Sequence, residues 1–332
     1  MVRRTLSTLQ AAAIAFVLAC AAATAVHAQD TKAWLDTQGL EAADTKTVGD
    51  LDIVVARVPG AKDLAGAQMR VAILKAGKPL WQSTTKDADP GSRWAIHSAG
   101  KDLDGDGQPD VHLSSFSGGP NCCTTHHVLR LKPQPKKTAT YAAGNVAGGE
   151  FIEIPGRKLP VMVSADDSSA NAFAPFASSY FPMVILEVNP KGRFEFAKDL
   201  MQSRLPGQPP PVCTQPAAST NPWLKERCNE YITMRRNSRT SDIKSRLAEI
   251  KSTRQADKLR WEDYYATGVL AAVSAEMNRY TYTGHGAAGS NWMETVWPGN
   301  DAIKLRFVQT LRQVQTKSVF AEDLRAIASQ YN

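Results

Sequence analysis

Residues 102–110 read DLDGDGQPD. Asp102, Asp104 and Asp106 take positions 1, 3 and 5 of a loop, so their carboxylates can turn toward one centre, and Gly107 at position 6 permits a sharp bend. Gln108 can offer its backbone carbonyl from position 7, and Asp110 at position 9 can close the sphere. Hard oxygen ligands in that number suit Ca²⁺, which accepts about six to eight of them in a forgiving geometry. Without a cation the crowded carboxylates repel one another, so the loop is expected to be ordered mainly by metal. The bland alternative is a solvated acidic turn. An EF-hand does not describe the stretch, because position 12 is Leu113 where a bidentate glutamate belongs, and the flanks read as strand.

Working outward, the loop sits inside a strand-rich half. VHLSSF (111–116) follows it directly, and TTHHVLRL (124–131), LPVMVS (159–164) and PMVILEV (182–188) continue the pattern. Upstream lie LDIVVARV (51–58) and MRVAILKAGKPLWQS (69–83), where Ala76-Gly77 separates two apolar runs as a hairpin turn would. Gly and Pro punctuate the gaps from Thr47 to about Lys198, which argues against long helices there. An internal echo runs from PDVHLSSFSGGPNCC to LPVMVSADDSSANAF, with Val161 standing 50 residues after Val111. Each copy is a strand, a small-residue loop, a second strand and a Pro-Lys turn, and the second has lost the acidic loop.

The D-x-D-x-D-G-x-x-D loop between strands resembles the calcium-loop units of FG-GAP and VCBS-type proteins, the repeats of integrin-like propellers and of many exported bacterial proteins. The resemblance covers roughly residues 95–131 well and 150–200 weakly. It implies a structural Ca²⁺ held by Asp102, Asp104, Asp106, Gln108 and Asp110, bracing the connection between blade strands. A propeller needs several blades, so the expectation is a partial propeller-like or sandwich sheet.

The C-terminal third changes period. MQSRLPGQPPPVCTQPAASTNPW (201–223) is rich in Pro, Ser, Thr and Gln and reads as an interdomain linker. Asn221-Pro222 then opens a helix whose stripe is Leu224, Cys228, Tyr231 and Ile232. A second helix begins near Ser241 with Ile243, Leu247 and Ile250, and a third stripe runs Trp261, Tyr265, Val269, Val273 and Met277. Gly284, Gly286 and Gly289 read as a flexible loop, before a helix marked by Ile303, Phe307, Leu311 and Val314 and capped by Asn300 or Asp301. The fold class is therefore α+β: an N-terminal antiparallel β domain over 29–200, a linker over 201–222 and a helical domain over 223–332.

The first 28 residues combine Arg3 and Arg4 with an alanine-rich apolar stretch and end in Val26-His27-Ala28, the anatomy of a secretory signal peptide. This predicts a periplasmic or secreted protein. Val17-Leu18-Ala19-Cys20 loosely resembles a lipobox, a competing route to a membrane anchor through Cys20. No later stretch is long and apolar enough to span a bilayer. Losing the two leader arginines takes the formal charge from +7 to +5, and the excess lies in residues 191–262, with 15 Lys/Arg against 8 Asp/Glu. The runs MRRNSR (234–239) and KSRLAEIKSTRQADKLR (244–260) make helices 235–260 a candidate surface for an anionic envelope component or an acidic protein. Nucleic acid is not the expected partner outside the cytoplasm. A merely solvated helix face is the bland reading, since Glu249, Asp257 and Glu262 interrupt the basic run.

Four cysteines survive cleavage: Cys122, Cys123, Cys213 and Cys228. In an oxidising compartment they pair either as Cys122–Cys123 with Cys213–Cys228 or across the two halves. In proteins that resemble this one a Cys-Cys pair trails the acidic loop, which favours a local role. The run CCTTHH (122–127) invites a soft-metal reading, but along one strand Cys122 and His126 stand about 13 Å apart at strand rise, too far for one ion.

No G-x-S-x-G elbow, H-E-x-x-H, Walker loop or Rossmann fingerprint occurs. His97, His112, His126, His127 and His285, with Ser114 or Ser115, nominate no triad by spacing and read as strand-face residues. Asp166-Asp167 would point to opposite faces of a strand and read as a turn opening rather than a hydrolytic pair. The sequence thus points to a calcium-binding module of non-catalytic role. The alternatives are an envelope hydrolase with a hidden site, and a helical inhibitor or partner-binding domain on a calcium-stabilised scaffold.

Overall fold

In a computed structural model the chain is α+β. The structure describes residues 28–60, 69–88, 92–119, 122–146, 148–237, 240–253, 259–299 and 301–328. Residues 1–27 of the expected leader, with the lipobox-like Cys20, lie outside them, and Ala28 is the first described residue. Three consecutive four-stranded antiparallel meanders come first: β1 (Glu41–Val48) to β4 (Lys78–Gln82), β5 (Arg93–Lys101) to β8 (Lys136–Gly144), and β9 (Glu150–Ile152) to β12 (Phe194–Phe196). Among the described residues no propeller ring closes. The sequence echo aligns β6 (Asp110–Phe116) and β7 (Thr124–Arg130) with β10 (Val161–Ala165) and β11 (Met183–Val188), the two central strands of successive sheets.

The chain divides into two compact units, and the division does not follow the composition boundary near residue 200. One unit holds the chain up to Lys101 together with Gln108–Thr138; the other holds Asp102–Gly107 and everything from Ala139 onward. The third sheet therefore groups with the helices.

In the first unit, β2 (Leu51–Arg57) shows how the core is made. Its side chains alternate between two faces: Ile53 and Val55 join β3 (Arg70–Lys75) and the second sheet in a cluster with Trp94, Ile96, Val111, Leu113 and Leu129, while Val54 and Ala56 face Trp34 and Leu35. Those last two belong to a helix, α1, over residues 28–38, where the sequence reading placed no element. Its Thr31 hydroxyl donates to the buried Asp52 carboxylate at 2.6 Å, and Thr47 donates to the same group at 2.8 Å. Burying each such aliphatic side chain contributes about 1.5–3 kcal/mol. The β3–β4 turn is Ala76-Gly77 with φ of 45° and 68°, the left-handed pair that a two-residue hairpin needs.

In the second unit, the residues read as a linker are folded. Val212, Ser203 and Ala217 are buried, short helices α2 (Lys198–Met201) and α3 (Ala217–Thr220) form, and Tyr231 donates to the Gln208 carbonyl at 2.8 Å. Proline fixes φ at the start of the single turn Pro211–Thr214. The disulfide Cys213–Cys228, Cα–Cα 5.6 Å, pins this segment to α4 (Pro222–Asn237). The stripe of α4 is buried at Leu224, Cys228 and Tyr231, whereas Ile232 is 43% exposed. Helix α5 (Thr240–Thr253) buries Ile243, Leu247 and Ile250 as its period predicts.

Two helical expectations need correction. The stripe from Trp261 to Met277 is two helices, α6 (Trp261–Ala266) and α7 (Val269–Tyr282), because Gly268 takes a left-handed φ of 72° and ends the first. The glycine-rich 283–292 stretch is largely helix α8 (Gly286–Val296) and not a flexible loop. A Cβ on Gly289 would stand 2.8 Å from that of Tyr280, so the glycine serves close helix contact. Helix α9 (Ala302–Lys317) starts at Asp301, whose carboxylate accepts from the Lys304 amide at 2.7 Å, and α10 (Ala321–Ala328) ends the described chain. No helix among the described residues is long and apolar enough to cross a membrane.

Candidate metal centres

The acidic loop connects β5 to β6. Asp102 takes both nearby loop amides, accepting from Gly105 at 2.7 Å and Gly107 at 3.0 Å, and Asp104 accepts from the Asp106 amide at 3.2 Å. Gly105 and Gly107 have φ of 85° and 81°, which is why glycine stands at both. Leu103 points inward and is buried. Its neighbours Asp102, Asp104 and Asp106 bring one carboxylate oxygen each to within 4.8 Å of the others. Asp110 is not a member of that group. It begins β6 as a buried residue opposite Lys101, and like Gln108 it falls in the other compact unit.

A second convergence was not read from the sequence. His97, His112 and His126 come from β5, β6 and β7 and place one ring nitrogen each within 4.8 Å of the others. Strand parity explains it. Ile96, Val111, Leu113, Leu129 and Leu131 line the apolar cluster, so His112 and His126 lie on the opposite face of the sheet. In the β6–β7 register Ser114 faces His126 and His112 faces Val128, which sets the two imidazoles on a diagonal. His97 is the extra residue of a bulge between Ile96 and Ser98, and bulges commonly re-aim a side chain.

The three rings form one packed group. His112 Nε2 and His126 Nδ1 share a hydrogen bond at 3.0 Å, and the His97 and His112 rings stack with centroids 4.6 Å apart. His97 Nε2 also meets Ser114 Oγ at 2.7 Å. His112 and His126 are fully buried and His97 is exposed, so the group opens to solvent on the β5 side. Burial first, and the neighbouring His126, His97 and His127 after it, hold the His112 imidazole well below the usual histidine range.

The remaining candidates join neither group. His127 faces the apolar side against Trp94, ring centroids 5.0 Å apart, and its Nε2 pairs with Ser115 Oγ at 3.1 Å. Its Nδ1 has no hydrogen-bond partner among the described residues, so no acid orients the ring as a triad requires. Burial pushes its pKa down to about 4. His285 meets the Ser203 carbonyl at 2.8 Å. Asp166 and Asp167 diverge: Asp166 is buried and accepts from Tyr282 at 2.5 Å, from Ser318 and from the Ser168 amide at 2.8 Å, whereas Asp167 accepts the Asn145 amide at 2.8 Å. They do not act on one point.

Cys122 and Cys123 are joined to each other, which with Cys213–Cys228 is the local one of the two pairings. The Cys-Cys turn is held by Ser117, whose hydroxyl donates to the Cys122 carbonyl at 2.7 Å and accepts from the Cys123 amide at 2.6 Å. On the basic helices, Lys244, Arg246 and Lys251 stand exposed on α5, Lys251 within 3.5 Å of Asp301. Residues 238, 239 and 254–258 of the basic run lie outside the described residues, as do the side chains of 234–237. No protein-family model matches this chain, and neither a curated protein nor a solved structure does.

Proposed function

We propose that this is an exported, calcium-ordered module of non-catalytic role, a partial propeller-like β scaffold carrying a helical part that meets a partner in the envelope. The observation that carries the calcium reading is the convergence of Asp102, Asp104 and Asp106, with Asp102 already gripping the loop through two amides. Three converging carboxylates repel one another, and a divalent cation removes that repulsion while taking hard oxygen ligands. Gln108 and Asp110, which the resemblance to calcium-loop units would add to the ligands, fall in the other compact unit, so the proposed site rests on the three aspartates. Three successive four-stranded meanders, with the acidic loop joining two strands of the second, support the likeness to FG-GAP and VCBS-type units. The exposed Lys244 and Arg246 on α5 support an anionic partner, either an envelope component or an acidic protein.

Thermal melting of chelator-stripped protein with and without Ca²⁺ tests this reading. At a free Ca²⁺ of about 100 times Kd the stabilisation is about 2.7 kcal/mol. At about 2–4 °C per kcal/mol for a chain of this class, that raises Tm by roughly 5–10 °C. The rise should vanish in Asp104→Asn, and an equal rise with Mg²⁺ or none with Ca²⁺ would remove the calcium assignment.

A further inference from the structure

We propose that His97, His112 and His126 form a second metal centre of a different class, one that takes a borderline divalent transition cation, zinc or copper. The inference goes beyond the calcium reading and does not rest on it.

The donor chemistry sets the class of ion. Neutral imidazole suits Zn²⁺ and Cu²⁺, whereas Ca²⁺ and Mg²⁺ take oxygen. No carboxylate or thiolate belongs to the group of three. A site of this composition therefore discriminates against the cation proposed for the acidic loop.

The geometry is near what such an ion requires. With Zn–N bonds of about 2.0–2.1 Å, two ligand nitrogens of a tetrahedral site lie about 3.3–3.4 Å apart. His112 Nε2 and His126 Nδ1 already stand 3.0 Å apart across a shared hydrogen. Admitting a metal there requires that hydrogen to move to another ring nitrogen and the rings to part by a few tenths of an ångström. His97 closes the third position from the solvent side, its ring held by Ser114 Oγ. A hydrogen bond of that kind is what commonly orients a metal-bound histidine. The backbone adds rigidity: His112 and His126 are fixed by a regular antiparallel register, and a bulge in β5 supplies His97. Three protein ligands leave a fourth position for water or an exchangeable group on the exposed side, the open arrangement of zinc sites that exchange a ligand.

Titration of folded, chelator-stripped protein with Co²⁺ reads the site directly, because a nitrogen-ligated low-coordinate Co²⁺ absorbs in the visible. One equivalent should produce the band, one equivalent of Zn²⁺ should abolish it, Cu²⁺ should bind more tightly than Zn²⁺, and excess Ca²⁺ should leave it unchanged. His97→Ala is the decisive variant, since its side chain is exposed and its loss leaves the core intact. Losing a partner of a ligand costs roughly 10–100-fold in metal affinity, so losing a ligand should weaken Zn²⁺ by roughly 100-fold or more. His112→Gln should do the same, with far-UV circular dichroism confirming the fold. Asp104→Asn should leave Zn²⁺ affinity unchanged. No uptake of Co²⁺ by the folded wild type, uptake indifferent to His97→Ala, or uptake lost in Asp104→Asn would each overturn the proposal, leaving a hydrogen-bonded histidine cluster that only packs.

Discussion

Replacing Asp166 with alanine tests whether the third sheet and the C-terminal helices are one cooperative body. The carboxylate sits at the end of β10, is 3% exposed, and accepts from the Tyr282 hydroxyl of α7, from Ser318 just beyond α9 and from the Ser168 amide. Truncation takes this acceptor from the buried Tyr282 and Ser318 hydroxyls and from the half-buried Ser168 amide. A hydrogen bond to a charged group contributes about 1.5–3 kcal/mol net, and an orphaned buried donor costs about 1–3 kcal/mol. These terms overlap because the donors share one acceptor, so the expected loss is about 4 kcal/mol, at the top of the usual range for single substitutions. Asp166→Asn keeps the shape and part of the acceptor capacity and should cost about half as much. Urea unfolding of the variants, followed by circular dichroism at a helix-sensitive wavelength and by tryptophan fluorescence, measures the loss. A double-mutant cycle with Tyr282→Phe should return a coupling of about 1 kcal/mol or more. A loss below about 1 kcal/mol for Asp166→Ala, or no coupling to Tyr282, would refute the argument that this carboxylate fastens the sheet to the helices.

Two further outcomes follow from single contacts. Gly289→Ala should destabilise by about 1–3 kcal/mol in chemical denaturation, although alanine is the better helix former, because its Cβ would stand 2.8 Å from that of Tyr280. Stability should fall as pH rises above about 10, the ordinary tyrosine value. Burial, with Asp166 beside it, raises the Tyr282 pKa well above 10, so between those values the unfolded chain has lost a proton that the folded one keeps. Tyr282→Phe should make that alkaline limb of a denaturation-versus-pH profile shallower, while Tyr141, Tyr180 and Tyr264, which burial also raises, keep the rest of it.

What the sequence made legible follows from how local each signal is. The short apolar, β-branched runs in LDIVVARV and VHLSSF mark strands, and β2 and β6 are strands buried along nearly their whole length. The loop carboxylates of Asp102, Asp104 and Asp106 were readable because all three lie within five residues. The break at Gly268 was hidden because Tyr265 and Val269 keep the helical period across it. Helix α8 was hidden because glycine reports conformational freedom in sequence, whereas at Gly289 its use is the lack of a side chain. The histidine group needed register: His97, His112 and His126 are separated by 15 and 14 residues and meet only when the strands fold back on each other. Parity did offer a signal, since each histidine falls on the face opposite its strand's core residues.

Isothermal titration of Ca²⁺ into folded, oxidised, chelator-stripped protein, with Mg²⁺ as control, tests the central claim most directly. The account predicts saturable binding of one Ca²⁺ per chain, weakened in Asp104→Asn and retained in His97→Ala. Absence of Ca²⁺ binding, or binding that survives Asp104→Asn unchanged, would contradict it.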